Sequence, residues 1–147
     1  MQTIQEVMTR DVQTISTQDT VQRAAQLMDE LNVGAIPVVD DSKLVGMITD
    51  RDITVRSVAV GQDPTNTRVG DVMSTDVRTC TVDQGVEDVL AQMADVQIRR
   101  VPVVDDNGRV IGIVSLGDVV TKAPVEVEQT LDEISTPSEP DRSTTGQ

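Results

Sequence analysis

Ile36-Pro37-Val38-Val39-Asp40-Asp41, followed by Val45-Gly46-Met47-Ile48-Thr49-Asp50-Arg51-Asp52, decides how this chain folds, because it occurs twice. The second copy is Val101-Pro102-Val103-Val104-Asp105-Asp106, then Ile111-Gly112-Ile113-Val114-Ser115-Leu116-Gly117-Asp118. Both reduce to apolar-Pro-Val-Val-Asp-Asp, a short turn, then apolar-Gly-apolar-apolar-(Thr/Ser)-x-x-Asp. Short β-branched runs on either side of a polar turn read as two buried strands in a hairpin. Pro37 and Pro102 have no N–H for a sheet ladder, so each belongs at a strand start or an edge. The hydroxyl and the final carboxylate fall where strand gives way to helix. Unpaired N–H groups and the positive dipole end of a helix favour an anion there, such as phosphate. A carboxylate is the opposite kind of group, an acceptor for the hydroxyls of a ribose.

Outward from this stretch the same order returns. Val7-Met8-Thr9 is matched 65 residues on by Val72-Met73-Ser74, and residues 10–15 by residues 75–80. Each reads as a loop leading into a short strand. Asp19-Thr20-Val21-Gln22 has helix-start character, with Asp19 as cap and Gln22 three residues later. Val21, Ala24, Ala25, Met28 and Leu31 then recur at spacings of three and four, one helix face. Val86, Val89, Leu90, Met93 and Val96 repeat that face, with Asp83 as the expected cap. Asn32-Val33-Gly34 and Val96-Gln97 end the two helices. Ser42-Lys43 and Asn107-Gly108-Arg109 read as hairpin turns, the second a residue longer. Past that extra residue the offset becomes 66, pairing Gly46 with Gly112, Thr49 with Ser115 and Asp52 with Asp118. A last helix is expected from Asp52 to Val60, and a shorter one from Asp118 to Lys122.

Each copy therefore reads strand, helix, strand, strand, helix. The fold class is α/β (α+β): two β-α-β-β-α repeats packed as a pseudo-two-fold pair with two equivalent clefts. One copy alone has too small a core to be comfortable. The expected organisation is repeat 1 over residues 1–60, a linker over 61–67, repeat 2 over 68–122 and an acidic tail over 123–147. Within the tail, residues 125–134 are a candidate acidic helix, and the Ser/Thr/Pro-rich remainder is expected to be disordered.

The totals exclude several classes. With no Phe, Tyr or Trp, the core must be Val, Ile, Leu, Met and Ala, and there is no aromatic platform for single-stranded nucleic acid. A net charge of −13 disfavours DNA and anionic membranes as partners. There is no apolar run of membrane-spanning length and no signal-peptide pattern, and the single Cys80 fits a reducing cytoplasm. No His and one Cys argue against a zinc or haem site. Among the 12 basic residues only Lys43 and Lys122 are lysines, and the acids are mostly Asp. That balance resembles salt-adapted, halophilic proteins, although an ordinary acidic surface has the same composition. No catalytic set emerges: the chain has no His, no Gly-x-Ser-x-Gly and no P-loop. Met8, Met28, Met73 and Met93 are core filler by spacing, and Cys80 is a strand residue before it is a reactive thiol.

The order Val-Met-(Thr/Ser), helix, Pro-Val-Val-Asp, Gly-apolar-apolar-(Thr/Ser)-x-x-Asp, given twice over residues 4–122, resembles a tandem pair of CBS domains, named after cystathionine β-synthase. Gly46-Met47-Ile48-Thr49-Asp50-Arg51-Asp52-Ile53 is close to what stand-alone prokaryotic pairs carry. Ile98-Arg99-Arg100-Val101 and Gly112–Asp118 are also similar to the nucleotide-sensing repeats of the gamma subunit of AMP-activated protein kinase. The resemblance implies a Bateman module that binds AMP, ADP, ATP or S-adenosylmethionine in its clefts, requires no cofactor, and assembles as a homodimer. Residue by residue, it implies that Asp52 and Asp118 accept from ribose hydroxyls and that Thr49 and Ser115 face phosphate. Arg99 and Arg100 would fork onto phosphate oxygens. Repeat 1 departs here with Gly34-Ala35, leaving Arg51 as its nearest basic residue. Adenine would lie against Thr14, Ala35 and Ile36 in one cleft, and against Thr79 and Val101 in the other.

Thr-x-x-Asp and Ser-x-x-Asp are equally plain helix-start patterns, a hydroxyl cap with an acid in the first turn. Two readings of the chain stand side by side. One is a non-enzymatic sensor that signals nucleotide binding to an unidentified regulated protein. The other is a dimeric interaction scaffold with no physiological nucleotide.

Overall fold

A computed structural model describes residues 2–122, so the candidate tail helix over 125–134 lies outside the described residues. The elements in chain order are α1 (Ile4–Val7), β1 (Ile15–Ser16), α2 (Val21–Leu31), β2 (Ala35–Asp40), β3 (Lys43–Thr49) and α3 (Asp50–Ile53). They continue as a π-helical segment (Thr54–Val58), α4 (Val69–Val72), α5 (Val86–Val96), β4 (Arg100–Val104), β5 (Val110–Ser115) and α6 (Leu116–Lys122). They form two compact units, each with its own core. One is Gln13–Val77; the other joins residues 2–12 to residues 78–122.

In the unit Gln13–Val77 the sheet order is β1-β2-β3, with β1 parallel and β3 antiparallel to β2. Asp41 and Ser42 turn the β2–β3 hairpin with φ of 57° and 70°. Positive φ at both central residues is the twist-compatible hairpin turn, so the turn lies one residue earlier than expected and Lys43 opens β3. The apolar stripe of α2 packs on the sheet, burying Val21, Ala24, Leu27 and Met28 against Ile15, Ile36, Val38 and Ile48. Val69 and Val72 of α4 complete this core at 0% and 1% exposure. The cap of α2 is Thr20, whose hydroxyl accepts from Arg23 N at 3.1 Å. Asp19, the expected cap, instead accepts from Ser16 N at 3.0 Å and fixes the turn before the helix. Asn32 ends α2 in the left-handed conformation, a common helix stop.

The second unit repeats this plan. β4 and β5 are antiparallel, with Arg100 opposite Ser115 and Val103 opposite Gly112. The short strand expected at the end of residues 75–80 shrinks to one parallel bridge, Cys80 with Val103. α5 begins after Gly85 rather than Asp83, whose carboxylate is taken by the Thr81 hydroxyl at 2.8 Å. Ile4, Val7 and Met8, from the start of the chain, are buried in this core beside Leu90, Met93, Val101 and Val114. Each repeated hairpin and its helix thus share a core with a Val-Met segment that lies distant in sequence. Residues 2–12 pack on the hairpin of residues 100–115, and residues 69–74 on that of residues 35–49.

The expected helix from Asp52 to Val60 differs in kind. It starts at Asp50, capped by Thr49, and widens to a π-helix over Thr54–Val58. Within the turn over 61–67, Asp63 accepts from Thr65 N at 3.0 Å, and the buried Thr67 hydroxyl donates to Asp63 O at 2.7 Å. Among the described residues no helix is long and apolar enough to cross a membrane.

Candidate functional site

The sheet topology decides which end of each unit carries polar groups. β2 starts where β3 ends, so Ala35 is paired with Thr49 and Ile36 with Ile48. Thr14 immediately precedes β1, which runs parallel to β2 with Ile15 opposite Val38. Thr14, Ala35, Ile36 and Thr49 therefore gather at one end of the sheet, with Asp52 and the exposed Arg51 in the helix that leaves it. In the other unit Arg100 is paired with Ser115 and Val101 with Val114, and Thr79 precedes the Cys80 bridge. Leu116 N donates to Arg99 O at 2.8 Å, as Asp50 N donates to Gly34 O at 2.9 Å in the first. Each expected set of residues thus shares one end of its own unit. Ile36 and Val101 are core residues, 1% and 0% exposed.

The (Thr/Ser)-x-x-Asp motifs close capping boxes. Asp52 N donates to Thr49 Oγ1 at 3.0 Å, and Thr49 N donates back to Asp52 Oδ2 at 3.0 Å. Asp118 N donates to Ser115 Oγ at 3.0 Å, and Ser115 N to Asp118 Oδ2 at 3.3 Å. Helix capping and ligand contact are compatible, since a carboxylate has roughly four lone-pair sites. What distinguishes the two acids is their remaining partners. Asp52, 7% exposed, takes the Ser74 hydroxyl at 3.1 Å on Oδ1 and 3.3 Å on Oδ2, and faces Arg56 Nε 3.8 Å from Oδ1. Asp118 is half-buried and takes the Thr9 hydroxyl at 3.2 Å on Oδ2. Among the described residues its Oδ1 accepts no hydrogen bond.

Thr9, Ser74, Arg56 and Lys122 are partners that sequence reasoning did not assign. Thr9 is bridged to Ile113, and Ser74 to Met47. Arg56 Nη1 donates to Met73 O at 3.0 Å, and Lys122 Nζ to Val7 O at 3.3 Å, pinning the two Val-Met segments. The signal available in sequence was the glycine repeated mid-strand. A Cβ on Gly46 would stand 2.6 Å from Ser74 O, and one on Gly112 2.8 Å from Thr9 O. Glycine inside a strand marks a site where another backbone comes close.

Cys80 is 2% exposed, and burial pushes its thiol up to about 12, so it is a core residue and no nucleophile. Among the described residues no three of His, Cys, Asp or Glu converge to hold a metal.

Comparison with known proteins fits this geometry. The CBS-domain family model matches residues 4–58 and again 69–124. CBS domain-containing protein YhcV of Bacillus subtilis is 47% identical over 119 residues, 81% of this chain and 84% of that protein. The crystal structure of Hypoxic Response Protein I, with two coordinated zinc ions, aligns at a TM-score of 0.76 and 33% identity over 83% of this chain and 99% of that one. The structure of CBSX2 in complex with AMP aligns at a TM-score of 0.72 and 28% identity, over 82% of this chain and 95% of that one. Two family matches falling on the two sequence repeats, and relatives spanned nearly end to end, identify the chain as a tandem pair of CBS domains, a regulatory module of the CBS-domain family.

Proposed function

We propose that this chain is a non-enzymatic sensor that binds an adenosine nucleotide at the end of the sheet carrying Asp118, and that a partner protein reads the bound state. One observation carries the reading: among the described residues Asp118 keeps an oxygen unengaged, on the sheet end where Arg100 is paired with Ser115 and Arg99 meets Leu116. A carboxylate for a ribose diol and two guanidiniums for phosphate are the chemistry that an adenosine nucleotide requires. The AMP complex of CBSX2 supports the ligand class. In this reading Arg99 and Arg100 take the phosphate beside Ser115. Thr79 and the backbone beside Val101 border the base.

The scaffold reading keeps one observation in its favour. Asp52 is buried and its carboxylate already engaged, and Gly34-Ala35 stand where the other repeat has arginines. A second copy would then cover Val55, Val58 and Val60, which are 46%, 63% and 64% exposed. Titration calorimetry of AMP, ATP and S-adenosylmethionine, at low and at molar salt, separates the readings. Molar salt screens the net charge of −13 that opposes an anionic ligand. Saturable binding that Asp118→Ala abolishes, with the fold intact by circular dichroism, supports the sensor. Absence of binding at every salt concentration overturns it.

A further inference from the structure

We infer that Ser74 and Arg56 hold the Asp52 carboxylate closed to a ligand, whereas Thr9 orients Asp118 and leaves it open, so that the pair takes one nucleotide rather than two. The inference rests on the nucleotide reading above.

The four residues are equivalents by repeat: Thr9 answers to Ser74, and Lys122 to Arg56. Their bonds differ. Ser74 Oγ lies within hydrogen-bonding distance of both oxygens of Asp52, at 3.1 Å and 3.3 Å. Arg56 reaches the segment and the acid at once: Nη1 donates to Met73 O at 3.0 Å and Val72 O at 3.5 Å, while Nε stands 3.8 Å from Asp52 Oδ1. A guanidinium presents five donors in a fork and can serve both. Lys122 has one ammonium, which goes to Val7 O at 3.3 Å. Thr9 then meets Asp118 on Oδ2 alone, at 3.2 Å, beside the capping N–H of Ser115. A ribose diol arriving at Asp52 must displace the serine hydroxyl from a carboxylate 7% exposed. One arriving at Asp118 finds Oδ1 unengaged among the described residues and the carboxylate already oriented.

Ser74 and Thr9 reach these acids because the strands beneath them carry glycine, which lets the Ser74 and Thr9 backbones lie against β3 and β5. They are positioning residues, acting on a ligand through a carboxylate. The test is calorimetric stoichiometry on the full chain with AMP, ATP and S-adenosylmethionine as probes. The wild-type chain should take one ligand. Arg56→Lys with Ser74→Ala should take two, the added site tightening about tenfold or more, the weight of one hydrogen bond to a charged acceptor. Arg56→Lys alone copies what the other repeat carries and should raise second-site affinity even if the double variant folds poorly. Ser74→Thr keeps the hydroxyl and should stay at one ligand. Thr9→Ala should weaken the wild-type site about tenfold on the same grounds. Asp118→Ala in the double variant should leave the single new site at Asp52. Two ligands on the wild-type chain, or one ligand on every folded variant with Asp118→Ala abolishing it, overturns the inference and leaves the nucleotide reading standing. No binding by any of these proteins overturns both.

Discussion

Replacing Gly46 by Ala tests whether the Val-Met segment holds its unit together. The added Cβ would stand 2.6 Å from Ser74 O and 2.8 Å from Met73 Sδ. An acceptable contact needs the carbonyl to retreat by about 0.8 Å, since van der Waals contact begins near 3.4 Å. That carbonyl accepts from Met47 N at 2.9 Å, and Ser74 N donates to Met47 O at 2.8 Å. A retreat of that size stretches both to roughly 3.6–3.7 Å, beyond the range of a hydrogen bond. Two bonds at about 0.5–1.5 kcal/mol each, with about 1 kcal/mol of overpacking at Met73, give a loss of roughly 2–4 kcal/mol. Gly34→Ala is the control. Its Cβ would meet a carboxylate of the exposed Asp50 at 3.1 Å, the movable end of a side chain, so the loss should stay below about 1 kcal/mol. The assay is urea unfolding followed by far-UV circular dichroism, because a chain without Trp or Tyr has no useful intrinsic fluorescence. Equal midpoints for Gly46→Ala and Gly34→Ala would refute the account.

Thr20→Ala should destabilise by about 1 kcal/mol in the same assay through loss of the α2 cap; Asp19→Ala, which removes a turn contact only, should leave α2 helicity unchanged. Cys80 should resist alkylation of the folded chain at neutral pH and react once urea exposes it, because burial pushes its thiol up to about 12; alkylation as fast as a free thiol would contradict its burial. Asp63 and Asp105 are both held below the ordinary carboxylate value of 3.8, chiefly by the backbone N–H of Thr65 and of Arg109 respectively. Their contribution is complete above 3.8 and is lost as pH falls through the lower folded values, because the unfolded chain there binds more protons. Asp63→Asn with Asp105→Asn should therefore flatten the acid limb of a stability–pH curve measured by urea midpoint, and an unchanged limb would show that neither turn titrates with folding.

Much of this architecture is legible in local pattern. The repeat registers at 65 and then 66 residues because β hairpins tolerate one extra turn residue, and the structure spends it between Asp105 and Arg109. Of the helix face Val21, Ala24, Ala25, Met28 and Leu31, the structure buries Val21, Ala24 and Met28 as the period predicts, whereas Ala25 and Leu31 are exposed and Leu27 enters the core instead. Helix starts are read less well, since Asp19 and Asp83 each have a turn N–H or hydroxyl nearer than the helix. Several polar groups compete for each cap, and only three-dimensional proximity ranks them. The widening of the last helix to a π-helix over Thr54–Val58 has no sequence marker that we recognise.

The candidate site divides along the same line. Thr49, Asp52, Ser115 and Asp118 stand out by repetition alone, because capping and ligand contact both need a hydroxyl and a carboxylate at a strand-to-helix junction. Sequence by itself also determined the family, the repeat, the aromatic-free core and the pairing of arginines with one repeat only. Tertiary structure decided which Val-Met segment lies on which hairpin, and so which hydroxyl each carboxylate receives. Thr9 and Asp118 are 109 residues apart, and Ser74 and Asp52 22 apart. Local periodicity carries no information over such separations. A contact of that kind is chosen by the burial of Ile4, Val7, Val69 and Val72 in their respective cores, and by two glycines that leave room for a second backbone.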